Sequence, residues 1–260
     1  MEELIVKKDI FNSIQEMFSL KNEFPIIAGP CAIESEEQMD VIASKIKEFG
    51  ITMLRGGAYK PRTSPYDFQG LQEEGLSILK TVGKKHNLKT VSEIMDIRDI
   101  EALINSVDFI QVGSRNMSNF SLLKELGKID TPILLKRGLM STIEEFVYAA
   151  EYIAMGGNRN IVLCERGIRT FEKATRNTLD LCCVPIVKEK TKLPIIVDLS
   201  HSLGRKDIVV QMAKASKACG ADGIMVEVHN CPEKAMSDSL QQLTIKELEV
   251  LVHEINKFSI

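Results

Sequence analysis

No stretch of this 260-residue chain is apolar for long enough to cross a membrane as a helix, which takes about 20 consecutive residues. Net charge is scarce too. Lysines and arginines number 33 against 36 aspartates and glutamates, leaving −3, and no basic stripe marks a nucleic-acid footprint. The six cysteines show no framework spacing, and Cys182 and Cys183 are adjacent. That pattern excludes a disulfide scaffold and fits reduced thiols in a reducing compartment. The first 20 residues are amphipathic, carry Glu2, Glu3, Lys7 and Asp9, and lack a signal-peptide core. A cytoplasmic location is therefore expected. No low-complexity tract or linker divides the chain. The expected organisation is a short N-terminal extension over 1–22 and one domain over 23–260, the extension being too small for an independent regulatory domain.

What the chain has is a recurrent unit. Eight short apolar runs read as strands: Ile26–Ala28, Ile51–Leu54, Leu88–Val91, Phe109–Val112, Ile133–Leu135, Ile161–Cys164, Ile195–Val197 and Gly223–Val226. Each is followed by residues that can do chemistry. In order these are Gly29-Pro30-Cys31, Arg55-Gly56-Gly57, Ser92-Glu93, Gly113-Ser114-Arg115-Asn116, Lys136-Arg137-Gly138, Glu165-Arg166-Gly167, Asp198-Leu199-Ser200-His201 and Glu227-Val228-His229. Packing does not explain polar residues at one end of every strand. Parallel strands sharing one functional face do.

The intervening segments have helical spacing. Ser35–Phe49 has a Ser cap, early acids and apolar residues at Met39, Ile42, Ala43 and Ile46. Helices are also predicted over Leu71–His86, Asp96–Ile104, Phe120–Leu126, Thr142–Met155, Thr170–Lys188, Asp207–Cys219 and Thr244–Phe258. Gly50, Gly127, Gly156-Gly157 and Gly220 punctuate their ends. Eight such units in about 250 residues are the pattern of an α/β TIM (β/α)8 barrel, here as a single domain. A doubly wound open sheet is the alternative, but it needs a switch point and does not arm every strand end.

The richest segment is Arg55–Tyr66, which sets Arg55, Lys60 and Arg62 among glycines, prolines and the hydroxyls of Thr63 and Ser64. A stiff loop with fixed cations and hydroxyl donors suits phosphate or carboxylate groups. Arg115, Lys136, Arg137 and Arg166 join them at the same face. So many cations imply a substrate set with several negative groups, with one or two paired structurally to Glu93, Glu165 or Asp198. Cys31, His201, Glu227 and Asp238 also fall at or beyond strand ends. Thiolate, imidazole and carboxylates suit a divalent transition ion such as Mn, Fe, Co or Zn. Their spacing is not diagnostic, and His229 competes with His201 as a ligand.

The motifs in this order resemble the 3-deoxy-D-arabino-heptulosonate 7-phosphate (DAHP) synthases, in their type I beta form. The resemblance runs from about Ile26 to Leu243 and is carried by Ala28-Gly29-Pro30-Cys31, Arg55-Gly56-Gly57-Ala58, Gly113-Ser114-Arg115-Asn116, Leu135-Lys136-Arg137-Gly138, Cys164-Glu165-Arg166-Gly167-Ile168-Arg169, Asp198-Leu199-Ser200-His201, Val226-Glu227-Val228-His229 and Ser237-Asp238. It departs from the family pattern at Leu199, at Asn230-Cys231-Pro232 and at Ser239-Leu240.

The resemblance implies condensation of phosphoenolpyruvate with erythrose 4-phosphate, the first step of the shikimate pathway. It implies that Arg115 and Arg166 hold the phosphoenolpyruvate phosphate, and that Arg55, Lys60 and Lys136 hold its carboxylate. Lys60 would also act as an acid near the reacting carbons. Arg62, Thr63 and Ser64 would hold the aldose phosphate, and Cys31, His201, Glu227 and Asp238 a divalent metal ion. A homo-oligomer, tetramer or dimer, is implied too. The 3-deoxy-D-manno-octulosonate 8-phosphate synthases are the nearest alternative, with arabinose 5-phosphate as aldose. They usually carry Lys-Ala-Asn-Arg where this chain has Lys60-Pro61-Arg62-Thr63. An idle sugar-phosphate-binding barrel is the remaining alternative. Feedback inhibition by aromatic amino acids is not expected unless a partner supplies it.

Overall fold

The computed structural model describes residues 4–18, 24–62 and 64–259. Thr63 lies outside the described residues. Eight strands, β1 (Ile26–Gly29), β2 (Met53–Arg55), β3 (Lys89–Ile94), β4 (Phe109–Val112), β5 (Ile133–Lys136), β6 (Ile161–Glu165), β7 (Ile195–Asp198) and β8 (Gly223–Glu227), follow one another around a closed barrel. All pairs are parallel, and β1 closes on β8 with Ala28 opposite Val226 and Gly29 opposite Glu227. Every residue of β1, β4, β5, β6, β7 and β8 is buried, as expected of strands covered on both faces. The closed ring settles the choice between barrel and open sheet.

The helices are α1 (Ile5–Lys8), α2 (Ile14–Phe18), α3 (Glu36–Glu48), α4 (Glu73–His86), α5 (Ile100–Ile104), α6 (Phe120–Leu126), α7 (Ile143–Met155), α8 (Cys183–Lys190), α9 (Leu199–Leu203), α10 (Val209–Ala218) and α11 (Ile245–Lys257). Local chemistry fixes their starts. The Ser35 hydroxyl accepts from the Gln38 N–H, and Thr142/Glu145 and Thr244/Glu247 form reciprocal capping boxes. One prediction fails. The helix expected over Thr170–Lys188 begins only at Cys183, and residues 166–182 form a loop pinned by an antiparallel bridge between Ile168 and Thr178. Gly167 turns at φ +80°, and the polar run Thr175-Arg176-Asn177-Thr178 offers no apolar face to bury. The Asp96–Ile104 segment is a 3-10 turn followed by the short α5.

Two apolar layers result. One lies between the ring of strands and the helices. The other fills the barrel lumen with Ile27, Met53, Val91, Phe109, Leu134, Val162, Ile196 and Met225, and Ile14, Met17 and Phe18 of α2 join it. Phe18 meets Phe109 edge to face, centroids 4.9 Å apart. The N-terminal end of the barrel is thus sealed by apolar side chains, and polar side chains gather at the other end.

Candidate functional site

Four possible metal donors converge at the C-terminal mouth. Cys31 lies just beyond β1, His201 sits in α9, Glu227 ends β8 and Asp238 belongs to the loop before α11. One ligating atom from each lies within 4.8 Å of all the others. Bonds of about 2.0–2.3 Å to a shared ion would bring four such donors within roughly 4 Å of one another, so the cluster is close to the size of a single-ion site. A thiol, an imidazole and two carboxylates are also the donors a divalent transition ion takes. His229 is not among them. β8 ends at Glu227, so strand alternation stops there. His229 Nδ1 accepts from the Cys231 N–H at 2.9 Å, and its Nε2 lies 3.4 Å from Glu34.

Each donor is held by neighbours. The Cys31 N–H donates to Gln242 at 3.1 Å, and its Sγ lies 3.0 Å from the Ser237 hydroxyl. Asp198 caps α9 by accepting the His201 N–H at 3.0 Å. His201 Nδ1 lies 2.8 Å from Asp198 but out of hydrogen-bond alignment, while Nε2 faces Glu227 at 3.4 Å. Glu227, fully buried, accepts from Arg55 at 2.7 Å and from Gln241 at 2.6 Å. Asp238 accepts from Arg176 at 3.0 Å and Gln241 at 3.2 Å, with its backbone in the left-handed region at φ +50°. Asp is among the few side chains that tolerate that region.

Burial, reinforced by Glu227, pushes the Cys31 thiol up to about 11. Burial alone would raise both carboxyls, but cations outweigh it. His201, once its imidazole is protonated in acid, and Arg55 at any pH hold Glu227 below the usual range, and Arg176 holds Asp238 at about 2. Burial also lowers His201, against the pull of Asp198 and Glu227. The imidazole is therefore neutral near pH 7, the form that ligates metal.

Lys60 links this cluster to a second feature. Its ammonium donates to the Cys31 carbonyl at 2.9 Å and to Sγ at 3.1 Å. It can do so because Gly57 has no Cβ; one built there would lie 2.6 Å from the Cys31 carbonyl oxygen. Lys60 also lines a cavity of 170 Å³ with Arg62, Arg115, Lys136, Arg166, Arg169 and Arg176, against which, among the described residues, only Glu93 and Asp238 contribute carboxylates. A larger cavity of 440 Å³ lies at the opposite end, by the starts of β3 and β4, away from the donor cluster.

The expected cations differ in their ties. Lys136 is buried and ion-paired with Asp198. Arg55 is buried against Glu227 and the Pro30 carbonyl and does not itself line the cavity. Arg137 is a structural residue, held by Glu165 and Asp180 at 2.8 Å each. Arg166 is buried and donates to the carbonyls of His201 and Gly167, with no carboxylate partner among the described residues. Ser64 lies in the adjacent loop, accepting from the Tyr66 N–H at 3.2 Å, and does not line the cavity.

Sequence reasoning passed over Arg176, Asn177 and Gln241. Arg176 and Asn177 were concealed by the helix expected over that stretch, although its lack of apolar spacing was a signal. Gln241 offered none, since a glutamine carries no distinctive chemistry in sequence.

Comparison with known proteins gives consistent matches. Residues 10–259 match the family model described as the DAHP synthetase I family. The chain is 52% identical over 236 residues to a phospho-2-dehydro-3-deoxyheptonate aldolase of Thermotoga maritima, covering 91% of this chain and 70% of that protein. The crystal structure of a DAHP synthase from Thermotoga maritima matches with a TM-score of 0.88 at 52% identity, over 90% of this chain and 68% of that one. A truncated 3-deoxy-D-arabino-heptulosonate 7-phosphate synthase from Thermotoga maritima matches at 0.84 and 50% identity, over 90% of this chain and 86% of that one. A 2-dehydro-3-deoxyphosphooctonate aldolase of Fusobacterium nucleatum is 28% identical over 254 residues, covering 91% of this chain and 90% of that protein.

Proposed function

The chain belongs to the DAHP synthetase I family, and from that premise we propose how its mouth carries out the condensation of phosphoenolpyruvate with erythrose 4-phosphate. It is a carbon–carbon bond-forming transferase of the shikimate pathway, which leads to chorismate and the aromatic amino acids. C3 of phosphoenolpyruvate attacks the aldehyde carbon of erythrose 4-phosphate. Water adds at C2, and phosphate leaves to give DAHP. Arg115 and Arg166 hold the phosphoenolpyruvate phosphate. Lys60 and Lys136, on the cavity wall, hold its carboxylate, and Arg55, buried behind them against Glu227, adds its charge. Arg62 and Thr63 hold the aldose phosphate, and Ser64 joins them from the adjacent loop. Clamping both substrates turns a bimolecular attack into an oriented one, and the cations offset charge that would otherwise keep the two anions apart. Lys60 is the proposed proton donor, since arginine stays charged and the other lysine, Lys136, is buried in an ion pair with Asp198.

Cys31, His201, Glu227 and Asp238 would hold a divalent ion, Mn, Fe, Co or Zn. Once bound, such an ion supplies Lewis-acid polarisation of the aldehyde oxygen. The observation that carries the reading is the shared mouth: Lys60 touches the Cys31 sulfur and lines the cation-rich cavity. A homo-oligomer, tetramer or dimer, belongs to the proposal. Tyr148, Tyr152 and Met155 on one face of α7, with Phe120 stacked on Tyr152, offer partly exposed apolar surface for it. A cytoplasmic location fits the free thiols, and no described helix is long and apolar enough to cross a membrane.

The test is phosphate release from phosphoenolpyruvate with each aldose in turn. Turnover with erythrose 4-phosphate and little with arabinose 5-phosphate is expected. The reverse preference would make the chain an octulosonate synthase, and no turnover with either would make it an idle barrel.

A further inference from the structure

Arg176 takes no part in the substrate assignment or in the donor set, yet it is tied to both carboxylate donors. Its Nη1 donates to Asp238 Oδ2 at 3.0 Å and to Gln241 Oε1 at 2.8 Å. Gln241 is buried, and its Nε2 donates onward to Glu227 at 2.6 Å and to Asp238 at 3.2 Å. A guanidinium can only donate, so Oε1 must face Arg176 and the amide NH2 must face the two carboxylates. Arg176 and the two carboxylates thus select the same orientation of the amide, and without Arg176 its Oε1 end is left unanchored. The anchor is itself braced against α9, which carries His201. The Arg176 N–H donates to the Leu203 carbonyl at 2.9 Å, and the Asn177 N–H to Ser202 at 2.8 Å. Asp238 sits at φ +50°, a conformation that persists where surrounding contacts determine it.

We infer that Arg176 is a positioning residue which, through the Gln241 amide, orients Glu227 and Asp238 toward a shared divalent cation. The inference rests on reading the four donors as a metal site. It makes a prediction opposite in sign to that of simple charge. Removing a cation beside a cation site should tighten metal binding if only electrostatics matter. Removing the group that orients two ligands should weaken it, about 10- to 100-fold for an outer hydrogen-bonding partner.

The experiment measures Mn²⁺ binding to chelator-stripped protein by calorimetry, without substrates, with melting curves to confirm folding. The variants are Arg176→Gln, Arg176→Lys, Gln241→Leu, the double variant Arg176→Gln/Gln241→Leu, and Cys31→Ser. Arg176→Gln and Gln241→Leu should each weaken binding about 10-fold or more. Arg176→Lys keeps the charge but not the fork, and should recover only part of the loss. The double variant should lose less than the sum of the two single losses, because Arg176 acts in part through Gln241 and in part on Asp238 directly. Mn²⁺ affinity of Arg176→Gln at or above wild type overturns the inference, and if that variant does not fold, Arg176→Lys at wild-type affinity or above does the same. If wild type binds no Mn²⁺, or Cys31→Ser leaves the affinity unchanged, the donor-cluster reading itself fails and takes the inference with it.

Discussion

Lys60 touches the Cys31 sulfur and carbonyl on one side and the cation-rich cavity on the other. A purely electrostatic role would let arginine replace it at small cost. A proton-transfer role would not, because a guanidinium does not give up its proton. Lys60→Arg is therefore expected to keep phosphoenolpyruvate affinity near wild type while turnover falls at least about 100-fold, near 2.7 kcal/mol. Near-wild-type turnover would reduce Lys60 to an anion clamp. Arg62 and Arg166 would separate the two proposed phosphate subsites. Among the described residues Arg62 reaches only the Met236 carbonyl, at 3.4 Å, and its buried Nε has no partner there, so it is a donor short of acceptors. Arg62→Ala should chiefly raise the Michaelis constant for erythrose 4-phosphate, and Arg166→Ala that for phosphoenolpyruvate. Each loss of a charge-assisted contact costs about 1.5–3 kcal/mol. Steady-state kinetics with each substrate varied in turn checks this, and the reverse pattern would mean the subsites are exchanged. The residues legible in the sequence were those whose chemistry is intrinsic. Arg176 and Gln241 act through what they touch, and a contact between the β6–α8 and β8–α11 loops leaves no local trace.

At the scale of elements, α2 is the piece whose role is least evident from its length. It is five residues long, yet it puts Ile14, Met17 and Phe18 into the lumen. Phe18→Ala should lower stability by about 3–5 kcal/mol, the cost of a large aromatic removed from a packed core. Urea unfolding reads this directly, and Mn²⁺ affinity of the folded variant should stay unchanged because the donors lie at the other end. A loss under about 1 kcal/mol would mean that the lumen is closed without it. The strands were readable because a parallel strand covered on both faces must be continuously apolar, as Ile133–Leu135 and Ile161–Cys164 are. The segment after β6 was misread because its job is to carry Arg169, Arg176 and Asn177 to the mouth, and that requirement overrides any packing pattern.

For the whole molecule, a ligand that binds only the folded form adds to its stability by mass action. Stripping the divalent ion should abolish turnover and lower the melting temperature, and readdition of Mn, Fe, Co or Zn should restore both in part. At 100 times the dissociation constant the stabilisation is about 2.7 kcal/mol. Full activity in a demonstrably metal-free sample would sink the assignment of Cys31, His201, Glu227 and Asp238.

Closure of the ring also sets an order of events during synthesis. β1 and β8 are neighbours in space, and Cys31 is bonded to Gln242 across 211 positions of chain. A nascent polypeptide thus carries the Cys31 thiol through the synthesis of every later strand before Glu227 and Asp238 have been made. Contacts between such distant segments form late, because the chain must first be drawn into a loop of that size. No partial barrel can assemble the four proposed donors, so an ion held by them would be captured only after the last strand docks. Until then Cys31 lacks the barrel that buries it and is open to oxidants, which makes the interval between translation and ring closure the period when this proposed ligand would be most easily lost.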